Sequence, residues 1–149
     1  STLLLTQVIA RKMVQHHTGG SIYTITSING IQPGVGLSVY GATKGALETL
    51  MKGVALELAP HNILVNTVAV GAVETDMNAA IRADPGKLNI VNDSIPLKRM
   101  AQPEEIARVV VALLATGSYI TGSTIKIDGG WLLKTGFLSP SLYNQGEQL

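Results

Sequence analysis

The chain contains no cysteine, which removes disulfides, thiol nucleophiles and thiolate zinc sites together and fits a reducing compartment. Charge is also scarce: 14% of residues are Asp, Glu, Lys or Arg, against the roughly 25% usual in soluble domains. With 46% hydrophobic residues, much of the chain must lie in a core or in interfaces, which excludes a disordered or solvating tail. The charges that exist nearly cancel, at a formal net +1, and no basic cluster exceeds a pair such as Arg11-Lys12. Nucleic acid is therefore not an expected partner. Long apolar runs are missing too. The longest, Val109 to Ala115, falls far short of the roughly 18 residues a membrane span needs, so no membrane partner and a cytoplasmic location are expected. The start, Ser1-Thr2-Leu3-Leu4-Leu5, has no Met and no basic segment ahead of its leucines, and reads as a sequence entered partway through rather than a signal peptide. A length of 149 residues suits one domain.

What is present is an alternation of helices and strands. Leu4, Leu5, Val8, Ile9 and Met13 recur at helical spacing until Gly19-Gly20 stops them. Ser21 to Thr26 is short and β-branched, and reads as a buried strand. Asn29 to Gly36 carries Asn29-Gly30, Pro33-Gly34 and Gly36, so it reads as a loop. A helix over Val39 to Leu58 has a broad face of small and apolar residues, ended by Pro60. Ile63 to Val70 is a near-continuous apolar run, as expected of a parallel strand covered on both faces. From Glu74 to Gln102 there is a short helical pattern but no firm periodicity, which makes 74–100 a candidate lid of irregular structure. Pro103-Glu104-Glu105 opens a further helix to about Thr116, and Ser123 to Ile127 reads as a third strand. This order predicts crossover units of a parallel sheet with helices on both faces. Three strands alone leave a hydrophobic edge unpaired, so something must complete the sheet.

Tyr40 and Lys44 stand four apart and share one face of their helix. A phenol is a poor base near neutral pH, but a nearby ammonium favours the phenolate, and the pair can then exchange a proton. Ser27, thirteen positions before Tyr40, ends the first strand at the sheet edge where ligands of open α/β folds collect. A Tyr-x-x-x-Lys on its own is more simply a partly buried tyrosine beside a solvated lysine. His16, His17 and His61 have no partners at ligand spacing, so no metal is expected. Trp131 and Tyr143 read as anchors of a terminal segment or a subunit contact.

The surrounding residues resemble the short-chain dehydrogenase/reductase family. Tyr40-Gly41-Ala42-Thr43-Lys44-Gly45-Ala46 stands for its Tyr-x-x-x-Lys, and Ser27 for its strand-end serine. Leu64 to Gly71 with Val73-Glu74-Thr75 is similar to the segment lining the nicotinamide. Gln102 to Ala107, Thr121-Gly122-Ser123 and Asp128-Gly129-Gly130 are similar to the last helix and strand. The resemblance implies interconversion of an alcohol and a carbonyl with NAD or NADP as hydride carrier. Tyr40 would be the acid/base, Ser27 would hydrogen-bond the substrate oxygen, and Lys44 would hold the nicotinamide ribose and favour the phenolate. Gly71, Val73 and Thr75 would line or hold the nicotinamide end of the cofactor, with Asn29, Gln32 and Met77 toward the substrate.

The family's glycine-rich phosphate turn is absent, and Gly34-Val35-Gly36 is loop punctuation. Its Asn-Asn-Ala-Gly segment, its catalytic asparagine and the residue that selects NAD or NADP are absent too, and Val70-Gly71 replaces the common Pro-Gly. The expectation is a Rossmann-like doubly wound parallel sheet with only its later strands and helices in this chain. Residues 1–131 would form the C-terminal part of one NAD(P)-binding domain and 132–149 a tail. An N-terminal half would complete the sheet. A catalytically silent fragment or interaction partner is the rival class. Among enzymes, a sugar or polyol dehydrogenase and a 3-oxoacyl-thioester reductase both fit, and Asn29 and Gln32 lean toward a polar small-molecule substrate. Gly45, Ala46, Gly53 and Ala55, with the apolar face of the first helix, predict helix-to-helix pairing into a homodimer or homotetramer.

Overall fold

In the structure, a computed structural model, residues 2–134 are described. Tyr143 and most of the tail lie outside the described residues. Helix α1 (Thr2–Gln15) leads to strand β1 (Gly20–Ser27), helix α2 (Ser38–Leu58) to β2 (Ile63–Val70), and helix α5 (Pro103–Thr116) to β3 (Thr124–Ile127). Between β2 and α5 come the short helix α3 (Ala79–Arg82) and α4 (Pro85–Ser94). The chain turns out of α1 at Gly19, whose φ of 60° suits glycine and where a side chain would meet the carbonyl oxygen of Asn62 at 2.9 Å. The Gly20 N–H donates to that same carbonyl, which sets the first residue of β1 beside the entry to β2.

The three strands are parallel in the order β1-β2-β3. β1 pairs with β2 from Gly20↔Ile63 to Ser27↔Val70, and β3 joins only the second half of β2, ending at Val70↔Ile127. Ser27, Val70 and Ile127 are therefore neighbours along one carboxyl edge. Alternation along β1 sends Ile22 to one face, where Ile63 and Val65 cluster with Met51 and Ala55 of α2 and with Met13 and Val14 of α1. The next residue, Tyr23, points the other way and donates its hydroxyl to the Leu113 carbonyl of α5 at 3.4 Å. Helices thus cover both faces, the arrangement expected of a doubly wound α/β sheet.

The apolar reading of β2 concealed two polar staples. Asn66, 1% exposed, donates through Nδ2 to the Ile120 carbonyl at 2.7 Å and accepts from the Ser123 N–H at 3.0 Å. It thereby pairs β2 with chain that has not yet become strand. Thr67 donates to the Thr124 hydroxyl at 2.9 Å.

Two expectations need correction. The 74–100 segment is not irregular: after a helical turn at Asp76–Asn78 it forms α3 and α4. Asp84 starts α4 by accepting from the N–H groups of Gly86 and Lys87 at 2.9 and 3.2 Å, with Pro85 at the first helical position. Its periodicity is weak because α4 buries no residue; Ile90 is exposed, and only Ile95 and Met100 beyond it enter the core. The small residues of α2 do not all serve an outer surface either. A side chain at Gly45 would meet the Gly30 carbonyl oxygen at 2.8 Å, and Ala55 is buried under β2, whereas Gly53 faces open space. Leu4, Leu5 and Val8 of α1 and Ile25 on the free edge of β1 stay exposed.

Candidate active site

Ser27 closes β1, is 6% exposed, and begins a helical turn over Ile28–Gly30. Its Oγ accepts from the Asn29 N–H at 3.2 Å and from Asn29 Nδ2 at 3.4 Å. That turn lies directly on α2, backbone against backbone. A side chain at Gly30 would meet the Gly45 nitrogen at 2.8 Å, and one at Gly41 would meet the Asn29 carbonyl oxygen at 2.6 Å. Gly41 and Gly45 flank Lys44 on the helix, so the serine turn is held next to the tyrosine and lysine turn. One residue before Ser27, buried Thr26 donates to the equally buried Glu48 carboxylate at 2.9 Å. Glu48 lies one turn beyond Lys44 and pins the other side of the same crossing.

Tyr40 sits in the first turn of α2, 39% exposed, and its hydroxyl has no partner among the described residues. The Lys44 ammonium lies over the ring, 5.7 Å from its centre, within cation–π range. A cleft of about 230 Å³ opens between the 28–37 loop and the turn at Trp131–Leu133, and Ser27, Tyr40 and Lys44 are not among the residues that line it. Asn29, Gln32, Leu37, Trp131 and Leu132 line it. Trp131 thus faces the loop carrying Asn29 and Gln32. Asp128 sets this wall: its two carboxylate oxygens accept from the N–H groups of Gly130 and Leu132, each at 2.9 Å. The cleft is smaller than the roughly 300–1,000 Å³ of ordinary ligand sites.

Gly71, Val73 and Thr75 run past the same edge. A side chain at Gly71 would meet the Asp128 Cα at 2.8 Å, so this glycine is explained by the β3 turn packed on it. Val73 forms a one-residue parallel bridge with Ala101, in which the Ala101 N–H donates to Ala72 and the Glu74 N–H to Ala101. The polar groups of Val73 itself then face the other way. Asn78 Nδ2 donates to the Val73 carbonyl at 2.6 Å, and Asn78 Oδ1 accepts from the Thr75 N–H at 3.2 Å. The Val73 N–H has no partner among the described residues. An open, half-buried backbone donor beside the sheet edge suits the carboxamide oxygen of a nicotinamide, so the residues present fit that cofactor. Met77, 91% exposed, is not among the residues that line the cleft. Among the described residues no group of His, Asp or Glu could hold a metal ion, and no helix is long and apolar enough to cross a membrane.

The Ala101 side of the bridge is clamped by charge. Arg99 donates twice to the Glu105 carboxylate, both at 2.7 Å, and the Gln102 N–H donates to it at 2.8 Å. These bonds, the Arg99 pair foremost, lower the Glu105 pKa from 4.5 to about 2. A depressed folded value means the clamp contributes above the unfolded carboxyl's range and is lost as pH falls from 4.5 through about 2. Melting curves of the complete protein and its Glu105→Gln variant are expected to differ near neutrality and to converge across that window. The offset will be small because both side chains are solvent-accessible. A constant offset down to pH of about 2 would show that the clamp does not titrate.

The structure places Ser27 on the turn packed against the helix of Tyr40 and Lys44, and adds Glu48 and Asn78, which the sequence analysis does not single out. Of these, Asn78 had a signal, the Thr75-x-x-Asn78 spacing of a helix start.

The described residues thus present a parallel α/β edge with a serine at a strand end and a Tyr/Lys pair on the next helix. A family profile described as enoyl-(acyl carrier protein) reductase matches residues 1–132, and the chain belongs to the short-chain dehydrogenase/reductase family. It is 42% identical over 138 residues to the uncharacterized oxidoreductase YohF of Escherichia coli K12, covering 92% of this chain and 54% of that protein. It is 38% identical over 133 residues to L-xylulose reductase of Bos taurus, covering 89% of this chain and 54% of the other. A solved structure of 4-hydroxyisoleucine dehydrogenase complexed with NADH superposes with a TM-score of 0.86 at 26% identity, over 90% of this chain and 56% of the other. The chain spans about half the length of the curated relatives it matches.

Proposed function

We propose that this chain is the catalytic half of an NAD- or NADP-dependent oxidoreductase that interconverts an alcohol and a carbonyl in a small molecule. The observation that carries the reading is the meeting of Ser27 with the Tyr40/Lys44 turn through the Gly30, Gly41 and Gly45 contact. When bound, a reduced nicotinamide supplies the hydride that goes to the carbonyl carbon. Tyr40 gives its hydroxyl proton to the carbonyl oxygen, which completes the alcohol. Ser27 donates to that oxygen while charge builds on it. Lys44, whose ammonium lies 5.7 Å from the Tyr40 ring centre, would hold the ribose hydroxyls of the dinucleotide. The Val73 N–H would hold the carboxamide of the nicotinamide, with Gly71 and Thr75 lining that end.

The remaining walls are assigned to an N-terminal half that pairs with the free edge of β1, where Ile25 and the α1 residues Leu5 and Ile9 are exposed. Pairing of complete copies through α1 and α2 into a dimer or tetramer, and a cytoplasmic location, belong to the same reading. The α3–α4 segment within 74–100 is the lid. For substrate, Gln32 and the amide-bearing loop favour a polar carbonyl such as a ketose over a 3-oxoacyl thioester, while Trp131, Leu132 and Leu37 supply an apolar wall.

The test is turnover by the complete protein of L-xylulose, diacetyl and an acetoacetyl thioester with NADH and with NADPH, beside a Lys44→Met variant. Turnover of at least one pair is expected. Loss of the Lys44 ammonium is expected to cost ~10-fold or more in both dinucleotide affinity and rate, as for charge-assisted hydrogen bonds. No turnover together with no dinucleotide binding would favour the silent interaction partner instead.

A further inference from the structure

The hydrogen bonds around Ser27 determine which way its hydroxyl can act. A serine hydroxyl has one proton to give and two lone pairs to receive with. Ser27 Oγ receives from the Asn29 N–H at 3.2 Å and from Asn29 Nδ2 at 3.4 Å, and it donates to no group among the described residues. Both lone pairs are thus served by one residue, and only the proton is left. The orientation of the Asn29 amide does not rest on choosing between similar atoms. The Gly34 N–H, which can only donate, meets Asn29 Oδ1 at 3.0 Å. The oxygen end of the amide must therefore face Gly34, and the NH₂ end must face Ser27.

We propose that Asn29 is a positioning residue that commits the Ser27 hydroxyl to donation toward the substrate oxygen and ties this commitment to the 33–36 loop. This rests on the reading of Ser27 as a substrate contact and deepens it. Without the Nδ2 donor, a lone pair of Ser27 is free, and the hydroxyl can rotate to give its proton elsewhere. With it, rotation would set the proton against a donor. The same carboxamide holds Gly34, which lines the cleft with Pro33 and Leu37. The loop that shapes the cleft and the hydroxyl that serves the reaction are thereby set by one side chain. The carboxamide spends both its ends inside the loop. Gln32 is then the amide in the cleft lining with no intrachain partner among the described residues.

The test is a double-mutant cycle in the complete protein, run with each carbonyl probe of the panel above that it reduces. Asn29→Asp keeps the acceptor for Gly34 but puts a second acceptor where the donor was, so it draws the Ser27 proton to itself. Asn29→Ala removes the donor without adding charge. Each is expected to lower kcat by ~10-fold or more with dinucleotide affinity unchanged, in keeping with loss of one aligned donor to a developing oxyanion. In a Ser27→Ala background the same changes are expected to cost far less, because no hydroxyl remains to be oriented. Equal fold-losses in both backgrounds for both variants would overturn the proposal and leave Asn29 as a loop anchor. If Ser27→Ala alone turned over at the parent rate, the reading of Ser27 and this inference would fall together. A loss in Ser27→Ala with uncoupled Asn29 variants would remove only the inference.

Discussion

Replacing Tyr40 by Phe in the complete protein is expected to lower turnover by ~10²-fold or more, with dinucleotide affinity and melting temperature close to those of the parent. The separation of effects follows from the surroundings of the hydroxyl. It has no hydrogen-bond partner among the described residues, and Tyr40 is 39% exposed in the first turn of α2. Its removal therefore strands no buried donor or acceptor and opens no cavity, the two routes by which such a change would weaken the fold. The ring stays, so Lys44 keeps its neighbour. What disappears is the proton that the proposed mechanism gives to the carbonyl oxygen. Steady-state rates beside dinucleotide titration would decide the matter: turnover near the parent's would remove Tyr40 from the acid/base role, and loss of dinucleotide binding in step with rate would make it a binding residue.

The parts of this site legible in the sequence are those fixed by local geometry. Tyr40 and Lys44 share a face because helical spacing dictates it, and Ser27 marks the strand end because the β-branched run stops there. How the two come together is not local. It depends on the path of residues 28–37, which rests on the Asn29 carboxamide and on glycine contacts across the loop and helix. A glycine in a sequence signals a turn as readily as a close approach, and Gly45 was accordingly read as part of an outer face. Glu48 is illegible for a related reason: it accepts from the Thr26 hydroxyl, which only folding brings near, and a single polar residue on a helix carries no period.

The helices and strands that pack on the core were legible nearly to the residue, since burial on one or both faces writes a period into the chain. The β2 strand runs over the same Ile63–Val70 span that its apolar run predicts. The α4 region was not legible because it lies on the surface. Its start is set by Asp84 and Pro85, and its outward residues obey no apolar rhythm. The free edge of β1 was anticipated from strand count alone, and Ile25 on that edge is 48% exposed. Such an edge invites another strand, which is the physical ground for the proposed pairing of β1 with an N-terminal half.

The second large effect is expected at Gly41. An added methyl would stand 2.6 Å from the Asn29 carbonyl oxygen and 2.8 Å from Pro33 Cβ. Neither is the free end of a flexible side chain: one belongs to the backbone and the other to a ring fused to it. Relief must come from moving the 28–33 turn away from α2 as a unit. Overpacking of this kind costs ~1–3 kcal/mol, set against a gain of about 1 kcal/mol for placing Ala rather than Gly within a helix. Two simultaneous contacts put Gly41→Ala at the upper end, so a net loss of about 2 kcal/mol is expected in denaturant unfolding. The functional loss should exceed what that stability change explains. The displaced turn carries Asn29, which bonds Ser27, but not Val73, so kcat should fall while dinucleotide affinity holds. A variant as stable and as active as the parent would mean that the turn can slide on the helix, and the glycine contact would no longer account for the placement of Ser27 beside Tyr40.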